Sequence, residues 1–119
     1  MQDFTLTIAG ESHFEDIEVG LFATDYVSSA SLIELSIPTP AVQARFMNAR
    51  AGWSSDWHAL SARALFFVLT GAWEVSASDG ESRRFGVGSV LLVEDVRGKG
   101  HSSRVVSDES SLAAMIELA

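Results

Sequence analysis

Residues 64–106 read ALFFVLTGAWEVSASDGESRRFGVGSVLLVEDVRGKGHSSRVV. Runs of β-branched and aromatic residues alternate here with glycine turns, which are TG at 70–71, DG at 79–80, GVG at 86–88 and RGKG at 97–100. Apolar runs between such turns are typical of antiparallel strands joined by hairpins. The stretch therefore predicts an all-β fold, in which His101 opens the strand after the last turn.

The start of the chain predicts another strand. Phe4, Leu6 and Ile8 alternate with threonines and are followed by an acidic segment, so residues 1–20 are interpreted as an N-terminal strand and arm. With Phe14, these residues carry more apolar surface than a free arm keeps in water. We therefore expect a homodimer whose N-terminal strands contribute to the interface.

The remaining segments complete the set of strands. Short strands are expected at 32–37 and 42–49, and the small polar residues of 25–31 predict a loop. The closing segment 112–118, LAAMIEL, is rich in helix-favouring residues. Its apolar residues also alternate, and on that ground we predict a final strand.

Composition limits the class of protein. The chain has 119 residues, of which 47% are hydrophobic and 20% charged, and this predicts one domain spanning 1–119 with a substantial core. Its net charge of −8 argues against a nucleic-acid partner, because phosphate binding requires a basic surface. No apolar run approaches the ~18 residues needed to span a bilayer, and the N-terminus lacks signal-peptide features. We therefore expect no membrane partner. The absence of cysteine suits a cytoplasmic protein.

The quoted stretch resembles the small cupins. The likeness rests on FFVLTG followed by a strand, on SDGE, on RRFGVGSVLLVED and on GKGHSSRV, in that order along the chain. It implies a single cupin-type β-barrel, or jelly roll. One fold hosts many functions, so the resemblance implies an architecture and does not name an activity.

The resemblance also identifies the positions of the family's metal ligands. Ala64 occupies the place of the family's glutamate, while His58 and His101 match two of its histidines. Catalytic zinc takes three protein ligands, and a non-haem iron site takes two histidines and a carboxylate. Asp56 is the nearby carboxylate, but it lies in an irregular segment. We therefore expect no tightly held metal, and a divalent metal at His58 and His101 remains the alternative.

His101 and His58 are the candidate acid–base residues. The carboxylates Glu94 and Asp95 precede the same turn as His101 and could orient its ring for proton transfer. The simpler interpretation is that Asp95 caps the RGKG turn and that His101 is an ordinary strand residue. His58, beside Trp57, either shares the barrel interior with His101 or faces solvent.

Five further residues are candidates for ligand binding. Phe66 has the same strand parity as Ala64, so it should face the interior, where alanine in place of glutamate makes the pocket larger and less polar. Trp53 adds an aromatic surface nearby. Arg45 and Arg63 offer a positive charge for an anionic ligand, although most arginines lie at the surface.

These observations favour a small-molecule-binding protein. The preferred hypothesis is a metal-independent isomerase, cyclase or lyase that acts on a largely apolar organic substrate inside the barrel. The alternatives are a non-catalytic ligand-binding cupin and a metal-dependent cupin oxygenase using His58 and His101.

Overall fold

The computed structural model describes residues 2–6 and 11–119, with side chains from residue 11 onward. The predicted all-β class is confirmed, because the described residues form strands and turns without a helix. Within that part of the chain, therefore, no helix is long or apolar enough to cross a membrane. The strands are β1 Gln2–Leu6, β2 Ser12–Asp16, β3 Phe22–Thr24, β4 Ile33–Leu35, β5 Ala41–Ala49, β6 Ala64–Val68, β7 Trp73–Ala77, β8 Ser82–Phe85, β9 Val90–Val93, β10 His101–Val105 and β11 Ser111–Leu118.

The strands are arranged in two larger sheets and one separate hairpin. The larger sheet has the order β2-β1-β9-β6-β11-β5, and the smaller has the order β10-β7-β8. β3 and β4 pair only with each other in the described structure. Neighbouring strands run antiparallel except β1 and β9, which are parallel.

The core lies between the inward faces of the two larger sheets. Alternate residues of each strand point inward, so Val68 and Leu91 of one sheet join Trp73 and Val75 of the other in a single buried cluster. Burying a side chain of this size contributes roughly 1.5–3 kcal/mol. The two inward rows therefore hold the sheets together and leave their loops to shape a site.

An irregular loop extends the smaller sheet. Residues 53–60, which carried no regular strand pattern, run beside β10 and exchange backbone hydrogen bonds with it. Ser55 N donates to Ser103 O over 2.9 Å, and Val105 N donates to Trp53 O over 2.8 Å. This pairing brings the Trp-His loop to the edge of the barrel.

The predicted strands from Ala64 to the end of the chain are confirmed, including the closing strand Ser111–Leu118. The interpretation of residues 11–20 as an arm is wrong in part. Ser12–Asp16 forms a strand of the larger sheet, and Phe14 is buried with its ring centroid 6.0 Å from that of Phe85. Phe14 is thus a core residue rather than an interface anchor. The side chains of Phe4 and Leu6, and the whole of Ile8, lie outside the described residues.

Candidate functional site

A cavity of about 130 Å³ lies between the two sheets. Its lining is mostly apolar and comes from both sheets and from the loop 53–60, with two imidazoles and one hydroxyl as the main polar groups. The lining residues are Met47, Trp53, His58, Leu60, Phe66, Trp73, Val75, Leu91, Val93, His101, Ser103 and Met115. An apolar cavity with few polar groups is the common form of a small-molecule site.

His58 and His101 meet in this cavity. The backbone N–H of each donates to the carbonyl of the other over 2.9 Å, and their ring centroids are 4.6 Å apart. His101, at the start of β10, is 8% exposed, whereas His58 on the loop is exposed and lies at the mouth. His58 thus lines the cavity beside His101 and is also open to solvent.

Asp95 orients the ring of His101. Its Oδ2 lies 2.5 Å from His101 Nδ1, and the residue is fully buried. The interpretation of Asp95 as the cap of the RGKG turn is wrong, because its side chain turns inward to the imidazole instead. A carboxylate oxygen accepts hydrogen bonds, so Nδ1 carries the proton and Nε2 is the basic nitrogen of the neutral ring.

His58 has the same tautomer for a similar reason. Its Nδ1 lies 2.9 Å from the backbone oxygen of Asp56. A carbonyl oxygen can only accept, so Nδ1 donates and Nε2 is again the basic nitrogen when the ring is neutral. Asp56 therefore helps to position His58 through its backbone.

Gly100 makes the contact between the loop and β10 possible. Its φ is +71°, and a Cβ built there would lie 2.1 Å from the carbonyl oxygen of His58. Any larger residue would combine a strained backbone with a clash against the backbone of the loop. The glycine that ends the RGKG turn is thus required for the two histidines to lie side by side.

The start of β2 fixes the same turn from the other side. Ser12 Oγ, fully buried, donates to Gly100 O over 2.6 Å, and Glu11 pairs with Lys99. The hydrogen bond from Lys99 is the main reason that the pKa of the Glu11 carboxyl lies below its ordinary value. The turn before His101 is therefore held by one buried and one exposed contact.

An aromatic wall closes one side of the cavity. Trp73 packs edge-on against Trp53 and Phe66, with ring centroids 5.6 Å apart in each pair. Its Nε1 donates to Ser111 Oγ over 2.7 Å, and that hydroxyl donates in turn to Thr70 O over 2.7 Å. The predicted inward direction of Phe66 is confirmed, and Trp53 lines the same cavity.

A second, more polar cavity adjoins the first. It has a volume of about 250 Å³ and shares Leu60 and Met115 with the apolar cavity. Arg45 and Ala64 line it rather than the first, together with Gln43, Ser61, Ala62 and Glu117.

Arg63 is placed differently from the other candidates. It lines neither of the two cavities and forms a surface ion pair with Glu94 over 2.8 Å. Of the predicted site residues, the apolar cavity is thus lined by His58, His101, Phe66 and Trp53. The adjoining cavity is lined by Arg45 and Ala64, and Arg63 lines neither.

Several lining residues were not predicted. Strand alternation carried a usable signal for some of them, because Met47 has the parity of Arg45, and Val93 has the parity of Leu91. Asp95 has the same parity as Leu91 and Val93, so alternation also indicated that its side chain turns inward. The other unpredicted lining residues are Leu60, Trp73, Val75, Leu91, Ser103 and Met115.

The donor set does not fit a tightly held metal ion. Within the described parts of the chain, no group of three His, Cys, Asp or Glu side chains is arranged to hold one. The Oδ2 of Asp95, the buried carboxylate nearest to the pair, is engaged with His101 Nδ1, and Ala64 supplies no ligand. Two imidazoles alone fall short of the three protein ligands of a catalytic zinc site.

The solved structures that resemble this chain include several cupin domains. The Cnp3 cupin domain of Schizosaccharomyces pombe superimposes with a TM-score of 0.54 at 16% identity, over 91% of this chain and 73% of that one. A Cupin 2 conserved barrel domain protein of Salinispora arenicola gives 0.51 at 25% identity, over 70% and 71%. A cupin-2 domain protein of Shewanella frigidimarina gives 0.52 at 17% identity, over 65% and 70%. No protein-family model and no curated protein matches the sequence.

Proposed function

The chain has the cupin fold, and from this premise we propose that it binds a small, largely apolar organic molecule between its sheets and transforms it by proton transfer, without a tightly held metal. One observation carries the proposal. An apolar cavity contains two imidazoles side by side, and a buried carboxylate orients the deeper one.

Acid–base chemistry follows from the two tautomers. His101 Nε2 would take a proton from a C–H or O–H group of the bound molecule, and the negative charge of Asp95 would stabilise the imidazolium that forms. His58, at the mouth, would deliver a proton at a second position. Only protons move between protein and substrate, so the chemistry suits an isomerase, a cyclase or a lyase.

The walls of the two cavities indicate the kind of ligand. Phe66, Trp53 and Trp73 offer aromatic faces to an apolar body. Arg45, in the adjoining cavity, would meet an anionic or carbonyl end of the same molecule. We therefore favour an amphipathic organic substrate over a fully apolar one.

A non-catalytic ligand-binding cupin is the second candidate. It is favoured by the small number of polar side chains that line the apolar cavity, chiefly His58, His101 and Ser103. In that case Asp95 and His101 would only shape the cavity. We do not propose an oxygenase, because the donor set does not fit a metal.

The first experiment identifies the ligand and then compares three variants. Native mass spectrometry and solvent extraction of the purified protein would supply the candidate molecule. With it, we expect His101→Ala to lower the rate by ~10²–10⁴, the usual effect of losing a positioned proton-transfer group, with affinity mostly kept. His101→Asn should be nearly as slow, and Asp95→Asn should change the pH profile of kcat.

His13→Ala is the matched control, since His13 lies on β2 and does not line either described cavity. It should retain the wild-type rate. If His101→Ala and His101→Asn both retain that rate, the catalytic proposal fails. If the protein binds the molecule without turnover and His101→Asn restores the affinity that His101→Ala loses, the binding function replaces it.

A further inference from the structure

The inward row of β11 ends on a charged residue. Ala113, Met115 and Glu117 alternate along the strand, and Ala113 is buried while Met115 lines both cavities. Glu117, which lines the polar cavity, continues this row. A carboxylate at an inward position is uncommon unless a partner meets it.

The strand next to β11 presents two more polar side chains to the same cavity. On β5, Gln43 pairs with Glu117 and Arg45 pairs with Met115, so Arg45 and Glu117 are diagonal neighbours. Residues in that relation lie roughly 7–8 Å apart. In the part of the chain that the structure describes, neither charge has an ion-pair partner. The cavity is thus lined by a cation and a carboxylate that are not paired with each other.

A simple ion does not suit this pair of charges. An anion beside Arg45 would be repelled by Glu117, and a cation beside Glu117 would be repelled by Arg45. A molecule that carries both charges offers each side chain an opposite one, and the amide of Gln43 can hydrogen-bond to either group. The cavity therefore favours a zwitterion over an acid or an amine.

The apolar cavity lies next to these charges. Leu60 and Met115 line both cavities, and Met115 pairs with Phe66 on β6 as well as with Arg45 on β5. One row across the sheet thus passes from a charged to an aromatic side chain. The apolar cavity measures about 130 Å³, and an apolar cavity of roughly 150 Å³ accepts benzene. The space therefore suits a side chain between leucine and phenylalanine in size.

We propose that the two cavities together bind an α-amino acid with an apolar side chain. Arg45 holds the carboxylate, Glu117 holds the ammonium group, and the side chain extends past Met115 toward Phe66 and the two histidines. This assignment rests on the proposed function, because it names the substrate class of the same site. It adds Glu117 to the residues that bind the substrate.

Isothermal titration calorimetry of the purified full chain tests the head group without any variant. The probes are leucine, methionine and phenylalanine, each as both enantiomers. We expect at least one of them to bind with a Kd at or below ~1 mM. If none binds in this range, the proposal fails.

Three analogues of the tightest probe test whether both charges are recognised. One lacks the amino group, one has a hydroxyl in its place, and one lacks the carboxylate. Each should bind at least ~10-fold more weakly than the amino acid, because one charged side chain is left without its partner. An analogue that binds as tightly as the amino acid would overturn the recognition of a zwitterion.

Two substitutions test the two charges separately. Arg45→Gln should weaken binding of the tightest probe at least ~10-fold, because the carboxylate loses its counter-charge. Glu117→Gln should weaken it by a similar factor, yet it should not weaken binding of the analogue without the amino group, since the repulsion of that anion is removed. Wild-type affinity for the amino acid in either variant would overturn the assigned roles.

Matched controls separate a local effect from one of net charge. Arg63→Gln and Glu15→Gln change charge in the same sense, and neither residue lines a described cavity. Both should keep the wild-type affinity. A control that weakens binding as much as its counterpart would overturn the assignment. Circular dichroism verifies the fold of each variant, and if a variant is unfolded the wild-type analogue series decides.

The length of the side chain tests whether the apolar cavity belongs to the same site. Alanine should bind at least ~10-fold more weakly than leucine, because three fewer carbon atoms are buried. Equal affinity of the two amino acids would show that the side chain stays outside the cavity, against the proposal.

This assignment and the proposed function fail in different ways. If the amino acid binds as expected and is not turned over, the catalytic proposal fails and the binding assignment is retained. If the molecule extracted from the protein is turned over but lacks an amino group or a carboxylate, the substrate class is wrong and the proton-transfer chemistry is retained.

Discussion

Gly100 shows how one residue without a side chain organises the candidate site. It has a positive φ, and the backbone of His58 occupies the space where a side chain would begin. This close approach lets the loop pair with β10, which sets the two imidazoles 4.6 Å apart. The residue after Gly100 is His101, and Asp95 orients its ring from the buried side. The chemistry proposed for the cavity therefore depends on a backbone contact as much as on its titratable groups.

Gly100→Ala should separate the two histidines. We expect it to lower the free energy of unfolding by about 2–3 kcal/mol and to abolish ligand binding, because the new methyl displaces the loop. Gly80→Ala is the control, since Gly80 also has a positive φ but has open space around it, and should cost only about 1 kcal/mol. Urea denaturation of both variants measures the difference. Equal losses would show that the backbone conformation matters and the contact with His58 does not.

At the scale of elements, β2 links the two sheets to the turn before the site. Ser12 is fully buried, and its Oγ donates to Gly100 O over 2.6 Å and accepts from Ser78 N over 2.9 Å. One hydroxyl thus ties the strand β2 to the turn that carries His101 and to the residue that follows β7. Part of the segment interpreted as an N-terminal arm is thus a strand in the frame of the site.

Ser12→Ala should reveal this link. It leaves the buried carbonyl of Gly100 and the partly buried N–H of Ser78 without their partner, and we expect a loss of about 1–3 kcal/mol in the free energy of unfolding. Ser29→Ala, in the exposed turn between β3 and β4, should change stability by less than about 0.5 kcal/mol. Thermal melting followed by circular dichroism compares the two. A Ser12→Ala protein as stable as the Ser29→Ala control would contradict the assigned role of the hydroxyl.

At the scale of the whole molecule, the cavity exists because the two sheets pack face to face and leave an apolar space between them. Residues from both sheets line it, so neither sheet alone makes the site. The polar groups that reach it are two imidazoles and a hydroxyl, and Ala64 adds no ligand. The chemistry expected of the cavity is therefore that of these few polar side chains.

We accordingly predict that the purified protein carries well under one metal ion per chain. Two histidines without a third protein ligand bind a divalent ion weakly. Elemental analysis after extensive dialysis measures the content. Close to one iron, zinc, nickel or manganese ion per chain, lost in both His58→Ala and His101→Ala, would refute the prediction.

The strands of residues 64–106 could be predicted from the sequence because hairpins are local structures. Their apolar runs and glycine turns lie next to one another in the chain, and the alternation indicates which side chains face inward, as it did for Phe66. The same local signal also predicted the closing strand at Ser111–Leu118.

The assembly of the site could not be predicted in this way, because it depends on contacts between residues far apart in the chain. His58 and His101 meet only when an irregular loop pairs with β10. Alternation along a strand tells one face from the other. It carries no information on which distant loop will lie against that face. For the same reason the sequence could not show that Arg45 lines a cavity while Arg63 forms a surface ion pair.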